Sequence, residues 1–334
     1  MSKILALGEI MIRFSTDMGD LLTNSRKFNV NYGGAEANVA STLSNFGHCV
    51  HFASKLPDTA LAEAALRALH TSLVDTSQVL KGGSRMGVYY LEKGSSLRPS
   101  TVIYDRQRSA IAEMDIHEWN IDELFRDVSL FHITGITFAI SEQWHHFGQQ
   151  LIEEAYNRDI PVSFDINFRS SMWTLEEARK SICPILPMLS FCCANYLDAR
   201  NFFSIDPSIA RQDRMETCYS EISKKFPNLK ALYATNRNVV STSNNMLQGI
   251  LWNRGRFVSS PNYQLIPIID RIGGGDAFAA GILHGILKHM SSECMLQFAM
   301  ATTLLKHTVN GDHISISERD VQKWLESSGG EVKR

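Results

Sequence analysis

The chain contains 334 residues, 44% of them hydrophobic, which is enough to form a large core in one domain or two. Its 33 Lys and Arg residues and 35 Asp and Glu residues give a net charge of −2, which argues against a nucleic-acid or anionic-membrane partner. No apolar run reaches transmembrane length and residues 1–9 do not form a secretory signal, so we expect a cytoplasmic protein.

Cysteine and histidine spacing does not indicate a metal site. No two of the six cysteines have the two-residue separation of a zinc ligand pair or a redox motif, so buried reduced thiols are expected. The eleven histidines include the neighbours His145 and His146, but no HExxH or comparable ligand spacing surrounds them. The sequence predicts no structural metal.

Short apolar runs alternate with helical patterns along most of the chain. The predicted elements, in chain order, are strand 3–6, helix 37–46, strand 50–53, helix 60–69, strand 130–133, helix 142–157, strand 161–165, strand 191–194, helix 209–226 and strand 231–235. This alternation is typical of parallel strands joined by crossover helices that cover both faces of a sheet. The predicted fold class is α/β.

The segment 81–108 interrupts the alternation. Two strand-like runs, 86–92 and 101–106, are joined by a turn-rich connection and predict an inserted antiparallel hairpin. Because side chains alternate along a strand, the hairpin can present an aromatic and cationic face. The side chains on that face would include Tyr89, Tyr104 and Arg106. A tyrosine-rich strand pair with no ligand is the alternative.

Three consecutive glycines precede Asp276 at the start of a predicted helix that includes residues 277–283. Glycines allow the backbone to approach an anion closely, and the first amides of a helix attract negative charge, so the pattern suits phosphate binding. A carboxylate among such donors would be repelled by the anion, so we expect Asp276 to remove a proton from the group that attacks the phosphate. A tight turn with Asp276 as a helix cap is the alternative.

Another candidate site follows the predicted strand that ends at residue 165. Asp165, Asn167 and Arg169 would lie on one face of an extended segment, and ligands of open α/β sheets bind at the carboxyl ends of strands. The planar guanidinium of Arg169 can bind a carboxylate through two hydrogen bonds. An ordinary surface ion pair is the alternative for Arg169.

A second glycine-rich stretch, 32–40, opens a predicted helix of small residues near the N-terminus. Together with residues 273–276, it resembles the two signatures of the ribokinase-like (PfkB) carbohydrate kinases, and the resemblance covers nearly the whole chain. Within that family the chain is most similar to the 2-keto-3-deoxygluconate kinases. The segments that carry this similarity are 33–38, 88–92, 104–110, 165–169 and 270–276. A dinucleotide-binding oxidoreductase is excluded, because neither glycine cluster has the G-x-G-x-x-G spacing after an early strand.

The resemblance implies a fold and an activity. The expected fold is a single ribokinase-like (Rossmann-like) domain over residues 1–334, a three-layer sandwich with a mainly parallel sheet and a small β lid formed by about 12–34 and 81–108. The expected activity is ATP-dependent phosphorylation of the terminal hydroxyl of 2-keto-3-deoxygluconate, giving 2-keto-3-deoxy-6-phosphogluconate. A kinase for a neutral sugar (fructokinase-like or ribokinase-like) and a diverged, non-catalytic sugar-acid-binding protein are the alternatives. A homodimer or larger homo-oligomer, formed through the lid, is also implied.

The resemblance also implies functions for particular residues. Asp276 would be the catalytic base, beside an anion hole formed by Gly273, Gly274 and Gly275. The implied substrate contacts are Gly34, Asn38, Tyr89, Tyr104, Arg106 and Arg169. Of these, Arg106 and Arg169 would bind the C1 carboxylate of a keto-sugar acid. The implied ATP contacts are Asn167, Asn195, Thr235, Arg237, Gly273, Gly275 and His307. Mg²⁺ would enter as Mg·ATP without a direct protein ligand, with Asp198 acting through water.

Two segments differ from the pattern of many relatives. Residues 235–240 lack the glycines that are common where the family binds nucleotide. The segment 195–198 ends in Asp198, one methylene shorter than the glutamate of the family's NxxE-like motif. We therefore expect an altered nucleotide preference or a weaker metal affinity, while the fold is retained.

Overall fold

The computed structural model describes residues 3–327, which form two β-sheets and eleven α-helices. The strands are β1 Lys3–Leu7, β2 Met11–Ser15, β3 Asn29–Gly33, β4 Cys49–Leu56, β5 Val79–Lys81, β6 Val88–Glu92, β7 Thr101–Asp105, β8 Val128–Thr134, β9 Val162–Asp165, β10 Phe191–Cys193, β11 Ala231–Ser241, β12 Asn244–Asn253, β13 Arg256–Ser259 and β14 Tyr263–Leu265. The helices are α1 Ala35–Asn45, α2 Ala60–Thr71, α3 Ile121–Leu124, α4 Gly135–Phe138, α5 Glu142–Asn157, α6 Leu175–Ile182, α7 Tyr196–Asn201, α8 Met215–Lys225, α9 Gly274–Leu287, α10 Ser292–Lys306 and α11 Glu318–Glu326. Across this part of the chain, no helix combines the length and the apolar character that spanning a membrane requires.

The large sheet has the strand order β13-β12-β11-β10-β9-β8-β1-β4-β5, with β14 also paired to β12. Every pairing from β5 to β11 is parallel, and β12 pairs in antiparallel fashion with its neighbours. Helices cover both faces, as parallel strands buried on two sides require. The predicted α/β class, with a mainly parallel sheet and a second smaller sheet, is confirmed.

Two hydrophobic cores lie on opposite faces of the large sheet. Alternate residues of β1 enter different cores, Leu5 and Leu7 on one face and Ile4 and Ala6 on the other, as the two-residue period of a strand dictates. The first core is completed mainly by α5 and α8, and the second by α1, α9 and α10. Their fully buried members include Trp144, Leu151 and Tyr219 in the first and Leu43, Phe278 and Met300 in the second.

Two predicted boundaries were wrong. The helix predicted to begin at residue 209 begins at Met215, because the Asp206 carboxylate accepts hydrogen bonds from the backbone N–H and hydroxyl of Ser208 and holds a turn there. The strand predicted to end at residue 235 continues to Ser241. It continues because β12, which was not predicted, pairs with it along its length.

The small sheet has the order β3-β2-β6-β7, and its strands come from the two segments expected to form a lid. Its inner face carries Arg13 and Tyr89, both buried. Its outer face carries Phe14 and Tyr90, which stack with ring centroids 5.7 Å apart, and Phe28 packs edge-on against both. One face of the small sheet is therefore polar and buried, and the other is aromatic and partly exposed.

Arg13 connects the small sheet to the rest of the chain through buried charges. Its side chain is 1% exposed, and its Nη2 lies 2.6 Å from Asp270 Oδ2, while Nη1 lies 3.4 Å from Asp312 Oδ2. The Tyr89 hydroxyl donates a hydrogen bond to the other Asp312 oxygen. Asp270 also accepts from the backbone N–H of Gly311 at 3.1 Å. These contacts fix β2 and β6 to the loops before α9 and after α10.

Arg13→Met should strongly destabilise the protein. Removing one partner of a buried ion pair leaves the carboxylates of Asp270 and Asp312 without their cation, which typically costs about 3–5 kcal/mol. Urea denaturation would measure the loss. The control is Arg85→Met in the same region, because Arg85 pairs with a half-exposed Asp105 and should lose less than about 1 kcal/mol. Equal losses in the two variants would contradict the importance of the Arg13 contacts.

Candidate active site

A cavity of about 280 Å³ lies between the inner face of the small sheet, the carboxyl end of β9 and the first turns of α1 and α9. Most of the predicted site residues line it. They are Gly34, Asn38, Tyr89, Tyr104, Arg106, Asn167, Arg169, Gly273, Gly274, Gly275 and Asp276. The two glycine signatures and the hairpin, which are far apart in sequence, therefore meet at one cavity.

The structural reason for glycine differs among the three positions at the start of α9. Gly273 has φ of +77°, and a Cβ there would overlap the main-chain oxygen of Asp312. A Cβ on Gly274 would contact the ring of His307. Around Gly275, by contrast, a Cβ would meet no atom within 4 Å. Packing requires the first two glycines, whereas the third leaves the first amides of a helix open to a ligand.

Asp276 does not cap its helix. Its Oδ2 instead accepts a hydrogen bond of 2.6 Å from Nδ2 of Asn38, in α1. Burial raises the pKa of Asp276 from 3.8 to about 7, and the Asn38 hydrogen bond offsets part of that rise, while the charge of Asp165 adds to it. A carboxyl with a pKa near neutrality is suited to accept a proton at physiological pH.

Asp165 ends β9 at the wall of the same cavity. Burial raises its pKa to about 7, and burial likewise raises the pKa of nearby Asp198 to about 6. The segment after β9 is not extended as predicted. Asp165 Oδ1 accepts from the backbone N–H of Asn167 at 3.0 Å, and Asn167 has φ of +41°, so the chain turns there. The side chains of this segment nevertheless line one cavity, because the turn brings them round together.

The two arginines of the cavity have different surroundings. Arg169 is exposed, donates only to the carbonyl of its neighbour Phe168 at 3.1 Å, and forms no ion pair with a carboxylate of residues 3–327. Arg106 forms an ion pair with the buried carboxylate of Glu9. The surface ion pair considered for Arg169 is therefore absent within the described chain, and Arg106 is the arginine that already has an anionic partner.

The two tyrosines of the hairpin lie side by side. The rings of Tyr89 and Tyr104 are 5.6 Å apart at an angle of 34°. Tyr89 is buried with its hydroxyl on Asp312, whereas Tyr104 is half-exposed, and the Arg106 guanidinium lies 6.0 Å from the Tyr104 ring centre. Their rings form an aromatic wall of the cavity, with a cation at its edge.

A second cavity, of about 470 Å³, adjoins the first and is lined in part by Arg237. Arg271 and Ile272 line both cavities. Burial and the charge of Arg271 lower the pKa of Arg237 to about 10, and its Nη2 contacts Nε2 of His307 at 3.2 Å. His307 directs Nδ1 to the carbonyl of Thr303 at 2.6 Å, so Nε2 is the acceptor in this assignment. The second cavity combines cations with apolar walls.

Three of the residues expected to contact ATP do not line either cavity: Asn195, Thr235 and His307. The Asn195 side chain accepts hydrogen bonds from the N–H groups of Leu197 and Asp198, and the Asp198 carboxylate accepts from the N–H of Asn195. This reciprocal capping box fixes the first turn of α7 and occupies both side chains. Thr235 lies within β11, paired with Gly249 of β12. Sequence position alone did not distinguish these structural uses from ligand contacts.

Several charged residues around the cavity were not predicted, among them Glu9, Arg271 and Asp312. Glu9 pairs with Arg106, and Asp312 joins Arg13 to Tyr89, while Arg271 lines both cavities. The available signal was weak: Glu9 is an acid placed directly after the first apolar strand, and Arg271 is a cation adjoining the glycine run. Asp312 follows a helix late in the chain, where nothing local indicates an ion pair.

Comparisons with known proteins agree with this architecture. A family model described as "pfkB family carbohydrate kinase" matches residues 1–319. Among curated proteins, the chain is 29% identical to 2-dehydro-3-deoxygalactonokinase of Haloferax volcanii, over 100% of this chain and 99% of that protein, and 26% identical to 2-dehydro-3-deoxygluconokinase of Bacillus subtilis, over 94% and 92%. Among solved structures, it resembles a PfkB family carbohydrate kinase from Listeria grayi, with 36% identity, a TM-score of 0.93 and coverage of 97% and 100%. It also resembles 2-dehydro-3-deoxygluconokinase of Thermotoga maritima, with 32% identity, a TM-score of 0.93 and coverage of 98% and 100%.

Asp276→Asn should stabilise the folded protein at alkaline pH. Because burial raises the pKa of Asp276 to about 7, the unfolded chain loses this proton first, and the free energy of unfolding falls as the pH rises from about 4 to about 7. The variant lacks that penalty, so urea denaturation should show it to be more stable than the wild type at about pH 8 and equally stable near pH 4.

The control for that experiment is Asp105→Asn. Arg85 holds the pKa of the exposed Asp105 carboxyl below its usual value through a hydrogen bond, so the ionised form stabilises the folded state above pH 4. This variant should therefore be slightly less stable than the wild type at about pH 8. A loss of stability in Asp276→Asn at the same pH would contradict the assigned pKa direction.

Proposed function

Because the chain belongs to the pfkB family of carbohydrate kinases, we propose that it transfers the γ-phosphoryl group of ATP to the terminal hydroxyl of 2-keto-3-deoxygluconate. The product would be 2-keto-3-deoxy-6-phosphogluconate. The hydrogen bond between Asn38 and Asp276 carries this proposal, because it holds a carboxylate with a pKa of about 7 beside the open amides of α9.

The proposed reaction uses the carboxylate of Asp276 and the backbone amides at the start of α9. Asp276 accepts the proton of the terminal hydroxyl, the hydroxyl oxygen bonds to the γ-phosphorus, and the bond from that phosphorus to the oxygen of ADP breaks. The amides of Gly274 and Gly275 bear the charge that develops on the phosphoryl oxygens. Alignment of hydroxyl and phosphate in the cavity supplies a further part of the rate acceleration.

Sugar-acid specificity is supported by Arg169 and by the relatives. Arg169 lies at the cavity without a carboxylate partner in the described chain, so its guanidinium is available to the C1 carboxylate of a substrate. Proteins named as kinases of dehydro-deoxy sugar acids match this chain over nearly its whole length. Arg106 already forms an ion pair with Glu9, so Arg169 is the cavity arginine whose charge has no partner in the described chain.

We place the nucleotide at the second cavity, with its phosphates reaching Gly275. Arg237, Arg271 and Lys93 line this cavity and supply positive charge there. The apolar residues of the same walls, among them Leu91 and Ile268, suit a nucleobase.

The acids near the phosphate site fit Mg²⁺ only indirectly. Asp165 and Asp198 influence each other electrostatically, but Asp198 already accepts the N–H of Asn195, and no group of three or more potential metal ligands occurs within residues 3–327. These carboxylates would hold Mg²⁺ through its water molecules, as is common for this ion. When bound, Mg²⁺ neutralises charge on the ATP phosphates.

The small sheet acts in this proposal as a lid and as a dimer contact. Tyr89 and Tyr104 cover the sugar and exclude water, which could otherwise accept the phosphoryl group. The outer aromatic face, around Phe14 and Tyr90, would pack against a second copy of the chain. Sedimentation velocity tests the dimer, and a monomer at micromolar concentration would rule it out.

A substrate panel tests the proposed function. ADP release should be observed with 2-keto-3-deoxygluconate and should be much slower with fructose or ribose. Turnover of the neutral sugars alone would replace the proposal by a fructokinase-like or ribokinase-like activity. Thermal shift with sugar acid and Mg·ATP separately tests the non-catalytic alternative, since stabilisation by the sugar acid alone would favour a binding protein.

Asp276→Asn should lose nearly all activity while retaining both ligands. Removing a general base typically lowers the rate by about 10²–10⁴, and an amide cannot accept the hydroxyl proton. Steady-state assays should show the loss in kcat, and thermal shift should show sugar acid and Mg·ATP still binding. Undiminished turnover would eliminate Asp276 as the base.

Arg237→Met should weaken nucleotide binding selectively. Loss of one charge-assisted contact to a phosphate should raise the KM for ATP about 10- to 100-fold and leave the KM for the sugar unchanged. The control is Arg256→Met, because Arg256 is exposed on β13 and pairs with Glu293 far from both cavities. An unchanged KM for ATP in Arg237→Met would remove the nucleotide from the second cavity.

A further inference from the structure

Glu9 is a buried carboxylate at the active-site cavity to which the proposed reaction gives no task. It lies between β1 and β2, and its side chain is 4% exposed. An ionised carboxylate at such a position requires hydrogen-bonding or ionic partners, because burial without them is costly. Its partners therefore indicate what it is for.

Both partners of the Glu9 side chain follow the last strand of the small sheet. Its Oε2 forms the ion pair with Arg106, and its Oε1 accepts a hydrogen bond of 2.7 Å from the hydroxyl of the buried Ser109. One carboxylate thus joins the segment after β7 to the start of the large sheet.

Two glycines leave the space that Glu9 occupies. A Cβ on Gly87, at the start of the hairpin, would lie too close to Glu9 Oε1, and a Cβ on Gly34 would overlap its main-chain oxygen. Any larger residue at either position would displace Glu9. Gly34 and Gly87 therefore both leave room for Glu9 in its observed position.

Arg106 depends on Glu9 for its orientation. Its Nη1 contacts only the thioether sulfur of Met172, at 3.3 Å, which is a weak acceptor, and its Nε is buried with no hydrogen-bond partner. Glu9 is therefore the anion that fixes a long side chain with many rotamers, and the remaining N–H groups of the guanidinium are unsatisfied. Because Nε is enclosed by protein atoms, Nη1, whose acceptor is only the Met172 sulfur, is the donor that a ligand carboxylate would complete.

We propose that Glu9 is a specificity-determining positioning residue, which holds Arg106 at the angle at which its Nη1 binds the carboxylate of a sugar acid. This inference rests on the proposed sugar-acid kinase activity. Fixing the guanidinium before binding removes the entropy cost of ordering it when substrate arrives, so the effect belongs to substrate affinity. Glu9 touches neither the attacking hydroxyl nor the phosphate in this assignment.

The variant Glu9→Gln tests the proposal, because it preserves shape and removes the charge that holds Arg106. Steady-state kinetics should show a KM for 2-keto-3-deoxygluconate raised about tenfold, with kcat within about threefold and the KM for ATP unchanged. Glu9→Asp should recover part of the affinity. The matched control is Asp105→Asn. Asp105 precedes Arg106 in the chain, but its ion-pair partner is Arg85. In this variant kcat, the KM for the sugar acid and the KM for ATP should each stay within about twofold of the wild type.

A double-mutant cycle separates positioning from a structural effect. In an Arg106→Met background, Glu9→Gln should add nothing further to the KM for the sugar acid, since the residue it positions is gone. Ser109→Ala, which removes the other hydrogen bond of Glu9, should produce a smaller rise in the same KM and serves if Glu9→Gln folds poorly.

The outcomes distinguish this proposal from the proposed function. An active wild type in which Glu9→Gln raises the KM equally in both backgrounds, or raises the KM for ATP as much as that for the sugar acid, overturns the role of Glu9 alone. A wild type with no activity on the sugar acid overturns the proposed function and this role together.

Discussion

The geometry of the active site depends on one buried set of charges around the loop that precedes α9. Arg13 from the small sheet contacts the Asp270 carboxylate, and the fully buried Lys306 of α10 donates to the Asp270 carbonyl at 3.3 Å. Burial lowers the pKa of Lys306, yet the nearby carboxylates of Asp270 and Asp312 favour its charged form. Because moving any one partner away would leave a buried charge uncompensated, these contacts hold the loop in one position. The left-handed turn at Gly273 and the open amides of α9 follow from that position.

The buried carboxyl groups of the active site lower the stability of the folded protein at neutral and alkaline pH. Burial raises the pKa values of Asp276 and Asp165 to about 7, so each carboxyl binds its proton more tightly in the folded state than in the unfolded chain. The free energy of unfolding of the protein therefore falls as the pH rises towards 7. Neither acid has a cation within ion-pair distance in the described chain, although Arg169 lowers both pKa values somewhat. The large cores on both faces of the sheet supply the stability against which this local loss is set.

Local patterns in the sequence predicted most strands of the parallel half and five of the eleven helices of the described chain, whereas α6, α10 and α11 were among the elements that were not predicted. The predicted strands and helices follow from apolar periodicity, and the two glycine signatures located the helix starts at α1 and α9. Some pairs have no local signal in the sequence. Asn38 and Asp276 form a hydrogen bond across 238 positions, and Arg13 and Asp270 form one across 257. A charged residue within a strand such as β2 would be expected to face solvent. Arg13 is buried instead, because the loops that carry Asp270 and Asp312 cover it. β12 was missed because its polar residues and Gly249 do not alternate clearly.

The absence of glycines from residues 235–240 has a structural consequence that bears on nucleotide recognition. Without them β11 continues as a regular strand to Ser241, and the adjoining Thr242 donates to the carbonyls of Ser96 and Arg98, at 3.1 and 2.9 Å, at the edge of the small sheet. Alternate N–H groups of this segment are therefore occupied by pairing with β12. Arg237 instead extends a guanidinium into the second cavity. On the proposed placement, the guanidinium of Arg237 recognises phosphate oxygens through directed side-chain donors.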